Sequence, residues 1–131
     1  MTYHHILIVD DNPVTVFYNI DVASEVYQHV TIHSFEQTEV LIDAFHNYFG
    51  STNEQLLMLL DISMPDKLGF ELLSELEAAY PEMDHLNVIM VTSSHLKSDM
   101  EKATWFPCII GYIEKPLTTE KLIAAVNGTI A

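Results

Sequence analysis

The chain has 131 residues, of which 19 are acidic and 5 are lysine or arginine, and its formal net charge is −14. This acidity excludes direct binding to nucleic acid or to an anionic membrane as the expected function, because both need a basic surface. Apolar residues make up 49% of the chain, as in a folded protein, and no apolar run approaches the roughly 18 residues that span a bilayer. We therefore expect one cytoplasmic domain over residues 1–131.

Short apolar segments alternate with segments of helical periodicity along the whole chain. The segments that predict strands are residues 6–9, 30–35, 56–60, 88–91 and 109–113. The first and third are continuous apolar runs, which is typical of strands buried on both faces of a parallel sheet.

A segment with helical periodicity follows each predicted strand. Asn12 and Pro13 predict the start of the first helix, because asparagine caps helices and proline is tolerated in the first turn. A weaker pattern covers residues 97–105, and Thr118 opens the last helix. The apolar stripes expected to face the sheet are Val16, Ile20, Ala23 and Tyr27 in the first helix; Leu41, Ala44, Phe45 and Tyr48 in the second; Phe70, Leu73, Leu76 and Ala79 or Tyr80 in the third; and Leu122, Ile123, Val126 and Ile130 in the fifth.

This alternation predicts an α/β fold in which helices cover both faces of a five-stranded parallel sheet. The first and third strands are the most apolar and belong at the centre of the sheet, which suits the strand order 2-1-3-4-5 of a doubly wound, flavodoxin-like (βα)5 fold. In such folds, ligands bind at the carboxyl ends of the strands, near the point where the strand order reverses.

Polar residues follow four of the predicted strands. Asp10 and Asp11 follow the first strand, Asp61 the third and Thr92 the fourth, and Lys115 comes shortly after the fifth. The fold would bring them to one edge of the sheet, where the carboxylates would repel one another unless a cation joined them. Mg²⁺ suits such oxygen ligands. A lysine and a hydroxyl facing the carboxylates could receive the oxygens of a transferred phosphoryl group.

Four motifs at these strand ends carry a resemblance to a known family. They are Ile-Val-Asp-Asp-Asn at residues 8–12, Leu-Asp-Ile-Ser-Met-Pro at 60–65 with Gly69 beyond it, Met-Val-Thr-Ser at 90–93, and Gly-Tyr-Ile-Glu-Lys-Pro at 111–116. With this order and spacing, essentially the whole chain resembles the response-regulator receiver domain of two-component systems. The resemblance implies a signalling domain, not an enzyme, which assists its own phosphorylation and dephosphorylation.

The resemblance implies how the acidic residues divide their roles. Asp61 corresponds to the phosphoacceptor. Asp11, Asp61 and the backbone carbonyl of Ser63 correspond to ligands of Mg²⁺, and Asp10 supports the ion largely through water. Ser63, Ser93 and Ser94 stand at variable positions where small polar side chains leave room for water near the phosphoryl group.

The remaining motif residues correspond to groups that hold the phosphoryl group and respond to it. Lys115 pairs with the phosphate, and Thr92 donates a hydrogen bond to another phosphate oxygen. Tyr112 corresponds to a switch residue that turns inward when the hydroxyl is drawn toward the phosphate. The bond between Lys115 and Pro116 is typically cis in this family.

The resemblance also implies the partners. The phosphodonor is a histidine kinase or a histidine phosphotransfer protein, and its expected contact is the first helix, near Val14, Thr15 and Tyr18. The phosphorylated domain would signal to a downstream protein, which the sequence does not identify, through the face of the fourth helix, fifth strand and fifth helix. It would act as a monomer or as a phosphorylation-dependent dimer. We expect a single-domain regulator rather than a fragment of a longer one.

Other functions fit the sequence less well. The alternative is a receiver-like interaction module that works without phosphorylation. A small aspartate-dependent phosphatase would need a second aspartate at position 63, and a flavodoxin-like electron carrier would need a loop rich in Ser, Thr and Gly after the first strand. The seven histidines lack the spacing of a zinc site. Cys108 is interpreted as a core residue, and Trp105 with Phe106 as packing beneath the fourth helix. An exposed Trp105 would instead belong to a partner surface.

Overall fold

The computed structural model describes residues 2–128, in which strands and helices alternate as expected. Ile130, predicted to face the sheet, lies outside the described residues. Of the helices within residues 2–128, none has both the length and the apolar character of a membrane-spanning segment. The elements are β1 (His5–Val9), α1 (Pro13–Val26), β2 (Thr31–Phe35), α2 (Thr38–Ala44) with a π-helical turn after it (Phe45–Phe49), β3 (Leu56–Leu60), α3 (Gly69–Ala79), β4 (Leu86–Thr92), α4 (Lys97–Ala103), β5 (Ile109–Glu114) and α5 (Thr119–Val126).

The five strands form one parallel sheet in the order β2-β1-β3-β4-β5, which confirms the predicted fold class. Every residue of the central strand β3 is buried. Side chains of β1 alternate between two cores, because successive residues of a strand point to opposite faces. Leu7 and Val9 enter the core beneath α2 and α3, whereas Ile6 and Ile8 enter the core beneath α1 and α5.

Local signals fix the start of α1. Asn12 is its N-cap, and the side-chain oxygen of Asn12 accepts hydrogen bonds from the backbone amides of Val14 and Thr15 at 3.0 and 3.2 Å. Pro13 is the first helical residue, where its missing N–H costs nothing. Both features were predicted from the sequence. They matter for function because they end the loop that carries Asp10 and Asp11.

The π-helical turn after α2 changes which aromatic residue enters the core. The amide of Gly50 donates to the carbonyl of Phe45 at 2.9 Å, so this turn holds one residue more than an α-helical turn. As a result Phe49 is buried and Tyr48 is exposed. The prediction that Tyr48 faces the sheet was therefore wrong, because it assumed a constant helical period.

Two further packing predictions were wrong near the end of the chain. α5 centres its buried face on Leu122 and Ala125, so that Ile123 points away from the sheet and is exposed. α4 ends at Ala103, two residues before Trp105, which is 69% exposed, as in the alternative of a partner surface and not as in packing beneath α4. Phe106 alone packs inward, where it stacks on Phe70 with ring centroids 5.8 Å apart.

Two histidines that are far apart in the sequence meet at the amino-terminal end of the sheet. Nδ1 of His5 lies 3.0 Å from Nε2 of His33, and Nε2 of His5 lies 3.0 Å from a carboxylate oxygen of Glu54. The hydroxyl of Tyr48 donates to the same carboxylate. The ring of Phe49 packs edge-on against both imidazoles. If both imidazoles were protonated, two positively charged rings would lie side by side, with their centroids 5.1 Å apart.

This pair predicts a pH dependence of stability. Burial, and next the charge of His5, lower the pKa of His33 below the usual value of 6.5. The folded state therefore favours neutral His33, and the stability that this adds is present above pH 6.5 and is lost as the pH falls through the lowered pKa. In urea denaturation between about pH 7 and pH 5, His33→Gln should lose less unfolding free energy than the wild type. The exposed His29→Gln should follow the wild type, and parallel curves for His33→Gln would contradict the assignment.

Candidate functional site

The register of the central strands places two aspartates side by side. Val9 pairs with Leu60, so Asp10 and Asp61 leave β1 and β3 at the same level of the sheet. Their side chains are nearly buried, with residue exposures of 3% and 7%, whereas Asp11 is exposed. One carboxylate oxygen from each of Asp10, Asp11 and Asp61 lies within 4.8 Å of the other two. The structure thus brings the three predicted carboxylates together.

Backbone amides and one lysine orient the two buried carboxylates. The amide of Asn12 donates to Oδ1 of Asp10 at 2.9 Å, and the amide of Ser63 donates to Oδ1 of Asp61 at 3.3 Å. The other oxygen of each carboxylate faces Lys115, whose Nζ lies 2.8 Å from Oδ2 of Asp10 and 3.0 Å from Oδ2 of Asp61. Both carboxylates are thereby held in one orientation.

Lys115 is fixed by its backbone and by its charge partners. Its amide donates to the carbonyl of Thr92 at 2.8 Å, and the Lys115–Pro116 peptide bond is cis, as the resemblance implied. Burial acts to lower the pKa of Lys115, but its hydrogen bonds to Asp10 and Asp61 outweigh that effect and raise the pKa overall. The amine is therefore an ammonium at neutral pH. Counted as formal charges, the three carboxylates and the one ammonium leave an excess of two negative charges at this edge.

The loop between β3 and α3 is tied to the site at Gly69. The amide of Gly69 donates to the carbonyl of Ile62 at 2.7 Å, and a Cβ atom at Gly69 would lie 2.6 Å from the carbonyl oxygen of Asp61. Only glycine permits this approach without a shift of the backbone. Further along the loop, the carboxylate of Asp66 accepts hydrogen bonds from the amide and hydroxyl of Thr38 and so caps α2. The loop that carries Ser63 is therefore held at two points.

The predicted hydroxyl and switch residues lie on the neighbouring strands. Thr92 ends β4 and is 1% exposed, and its Oγ1 accepts a hydrogen bond from the amide of Ser94 at 3.2 Å. Tyr112 of β5 is partly buried, and its hydroxyl donates to the carbonyl of Ser94 at 3.1 Å. Burial raises the pKa of Tyr112, and the hydrogen bond to Ser94 offsets only part of that effect. The phenol is therefore protonated at neutral pH and acts as a donor.

Ser94 and Asp99 play a structural part that was not predicted from the sequence. The hydroxyl of Ser94 donates to Oδ2 of Asp99 at 2.6 Å and accepts from the amide of Leu96 at 3.2 Å. Ser94 was interpreted only as a small residue that leaves room for water. Ser94 lies two residues before the N-cap and five before Asp99, outside the spacing of a capping box, so the sequence carries no recognised signal for this contact.

The sequence model of the response regulator receiver domain family matches residues 6–127 of the chain. Among curated proteins, the transcriptional regulatory protein CitT of Bacillus subtilis is 35% identical over 66 residues, which are 50% of this chain and 27% of CitT. The match therefore spans about a quarter of that relative.

Solved structures of similar proteins agree in fold. A two component response regulator from Cytophaga hutchinsonii has a TM-score of 0.84 at 22% identity, over 97% of this chain and 96% of that one. A CheY-like response regulator receiver domain protein from Methanospirillum hungatei has a TM-score of 0.73 at 23% identity, over 96% and 92%. The CheX–CheY complex with BeF3 and magnesium from Borrelia burgdorferi has a TM-score of 0.74 at 22% identity, over 94% and 86%.

The close approach at Gly69 predicts that even one methyl group disturbs the site. Gly69→Ala should lower the free energy of unfolding by about 1–3 kcal/mol, because the new Cβ collides with the backbone of Asp61. It should also shift the amide resonance of Ser63. Ser74→Ala, at an exposed position of the same helix, is the control and should change neither. A Gly69→Ala protein with the stability and Ser63 resonance of the wild type would contradict the packing.

Proposed function

Because the chain belongs to the response regulator receiver domain family of two-component signalling, we propose that residues 1–131 form one receiver domain that accepts a phosphoryl group on Asp61. The observation that carries this proposal is the meeting of Asp10, Asp11, Asp61 and Lys115 at one edge of the sheet. The domain then signals by contact with another protein. We further propose that it assists its own phosphorylation and works in the cytoplasm, where a phosphohistidine donor would reach it.

The surroundings of Asp61 support its role as the acceptor. In the transfer, an oxygen of Asp61 forms a bond to phosphorus as the bond from phosphorus to the donor imidazole breaks, and the imidazole leaves with the electrons of that bond. The amide of Ser63 and the ammonium of Lys115 each bind one oxygen of the carboxylate and so hold it in a fixed orientation. Fixed orientation is a main contribution that a protein makes to phosphoryl transfer.

The carboxylates fit a bound Mg²⁺. Their donor set is entirely oxygen, and the two excess negative charges match a divalent ion. Lys115 contacts Asp10 and Asp61, which leaves the exposed Asp11 to bind the ion together with Asp61 and the backbone carbonyl of Ser63. Asp10 would then act on the ion through water. When bound, Mg²⁺ neutralises negative charge on the phosphoryl group as it moves.

Lys115 and Thr92 are suited to hold the transferred group. The ammonium of Lys115 would pair with a phosphoryl oxygen, since it already lies beside the acceptor carboxylate. The oxygen of Thr92 accepts the Ser94 amide, so its own O–H remains to donate to the phosphoryl group. Phosphorylation would then favour the state in which Thr92 and Tyr112 are drawn inward, which is a shift of population between two conformations.

An apolar surface on α1 supports a contact with the phosphodonor. Val14 and Phe17 are each 78% exposed, although the opposite side of the same helix packs on the sheet. Beside them, a groove of about 560 Å³ runs from Tyr18 to Pro116 and reaches Lys115. An exposed apolar surface next to a reactive site is typical of a docking surface. We assign it to the histidine kinase or histidine phosphotransfer protein.

Exposed apolar residues near the strand that carries Tyr112 support the output of the signal. They lie just before α4, on α4, just after it and on α5, and they are Leu96, Met100, Trp105 and Ile123. The downstream protein, or a second phosphorylated copy, would bind on this side of the domain.

Labelling of Asp61 tests the proposed function. Incubation with Mg²⁺ and acetyl phosphate should add one labile phosphoryl group to the wild type, measured as intact mass. Asp61→Asn should gain none, because an amide oxygen is a poor nucleophile, and chelation of Mg²⁺ should prevent labelling of the wild type. An unlabelled wild type, under conditions that label a control receiver domain, would favour a module that works without phosphorylation.

The docking surface on α1 is tested separately from the chemistry. Phe17→Asp should slow phosphoryl transfer from a histidine phosphotransfer protein by at least ~10-fold, because it places a charge in an apolar contact. Labelling by acetyl phosphate should be unchanged in this variant. Val40→Asp, at an exposed apolar position on α2, is the matched control. Equal transfer rates for the two variants would remove α1 as the docking surface.

A further inference from the structure

Ser94 joins three parts of the site through its polar groups. Its amide donates to Oγ1 of Thr92, and its carbonyl accepts from the hydroxyl of Tyr112. Its hydroxyl donates to Asp99 and accepts from the amide of Leu96. The backbone of Ser94 therefore contacts the residues that respond to phosphate, while its side chain contacts the start of α4.

The start of α4 depends on this side chain. Leu96 occupies the N-cap position of α4, and an apolar side chain cannot accept a hydrogen bond from the first-turn amides. The hydroxyl of Ser94 accepts from Leu96 instead. Asp99, in the first turn, lies where a negative charge stabilises a helix, and the same carboxylate binds the Ser94 hydroxyl. Ser94 and Asp99 together form a clamp on the first turn of α4.

The clamp lies only two residues beyond the end of β4. Any shift of the Thr92 hydroxyl toward a phosphoryl group moves the oxygen to which the Ser94 amide is bound. The Ser94 carbonyl accepts a hydrogen bond from the hydroxyl of Tyr112. A shift of the Ser94 backbone therefore also changes the position at which the Tyr112 ring is held. The hydroxyl of Ser94 must follow its own backbone, and so the contacts to Asp99 and Leu96 change with it.

We propose that Ser94 is a positioning residue whose hydroxyl, clamped to Asp99, couples the state of Thr92 and Tyr112 to the first turn of α4. This inference rests on the proposed function, since it assigns a route by which phosphorylation of Asp61 reaches the side of the domain proposed for output. It differs from the expectation that Ser94 acts through its small size, because the hydroxyl is held at the helix and not left open to water.

The test uses the full chain with Mg²⁺, and beryllofluoride serves as a stable mimic of the phosphoryl group. Amide exchange at Leu96 is measured by NMR with and without the mimic, and labelling by acetyl phosphate is measured by intact mass. The variants are Ser94→Ala, Ser94→Thr, which retains a hydroxyl, and Ser93→Ala as a control at the neighbouring exposed position.

We expect Ser94→Ala still to be labelled on Asp61, because its backbone contacts to Thr92 and Tyr112 remain. Its Leu96 amide should exchange about tenfold faster, as for loss of a capping hydroxyl, and the response of that amide to beryllofluoride should be lost. Ser94→Thr should restore much of both, and Ser93→Ala should match the wild type in the exchange of the Leu96 amide and in its response to beryllofluoride.

Wild-type exchange and an unchanged beryllofluoride response in Ser94→Ala would overturn the inference. Equal effects of Ser93→Ala and Ser94→Ala would also overturn it, because they would indicate a general loosening of the loop. A wild type that is neither labelled nor changed by the mimic would instead overturn the proposed function. The resting exchange of Leu96 in Ser94→Ala would still decide whether the clamp exists.

Discussion

The bridge from the Lys115 ammonium to the Asp10 and Asp61 carboxylates is the interaction on which the rest of the site depends. Two nearly buried carboxylates at adjacent strand ends are stable only when positive charge and hydrogen-bond donors compensate them. The bridge supplies one positive charge and leaves the third carboxylate, that of Asp11, facing solvent. The remaining negative charge favours the binding of a further cation, and the contacts of Lys115 hold Asp10 and Asp61 in place without one.

The fold brings residues that are distant in the sequence to the same edge of the sheet. The shared register of β1 and β3 sets the two aspartates side by side, and the hydrogen bond from the amide of Lys115 to Thr92 brings the end of β5 to the same edge. Gly69 lets α3 begin against the backbone of Asp61. The same edge continues through Thr92 and Ser94 to α4, so a chemical event at Asp61 has a short covalent and hydrogen-bonded route to the exposed apolar residues near α4.

The sequence predicted the sheet order and the gathering of the carboxylates because both follow from the apolar strands. Each apolar run ends where polar residues begin, and parallel strands must end at the same edge. The clamp between Ser94 and Asp99 and the contact between His5 and His33 were not predicted, because they depend on side-chain directions and on register across elements.

The position of Phe49 was missed for a different reason. The π-helical turn breaks the period on which the prediction relied, and Trp105 was misplaced because α4 ends earlier than its weak pattern suggested.

The most direct test of the central claim is the gain in unfolding free energy that Mg²⁺ gives to the wild type and to Asp11→Asn. Urea denaturation is carried out at pH 7 with excess chelator and with millimolar Mg²⁺. A ligand that binds only the folded state stabilises it in proportion to the logarithm of its concentration above Kd. We expect Asp11→Asn to be at least as stable as the wild type without Mg²⁺, since one repelling charge is gone, and to gain much less when Mg²⁺ is added. An equal gain in both proteins would contradict the assignment of the carboxylate edge as the cation site.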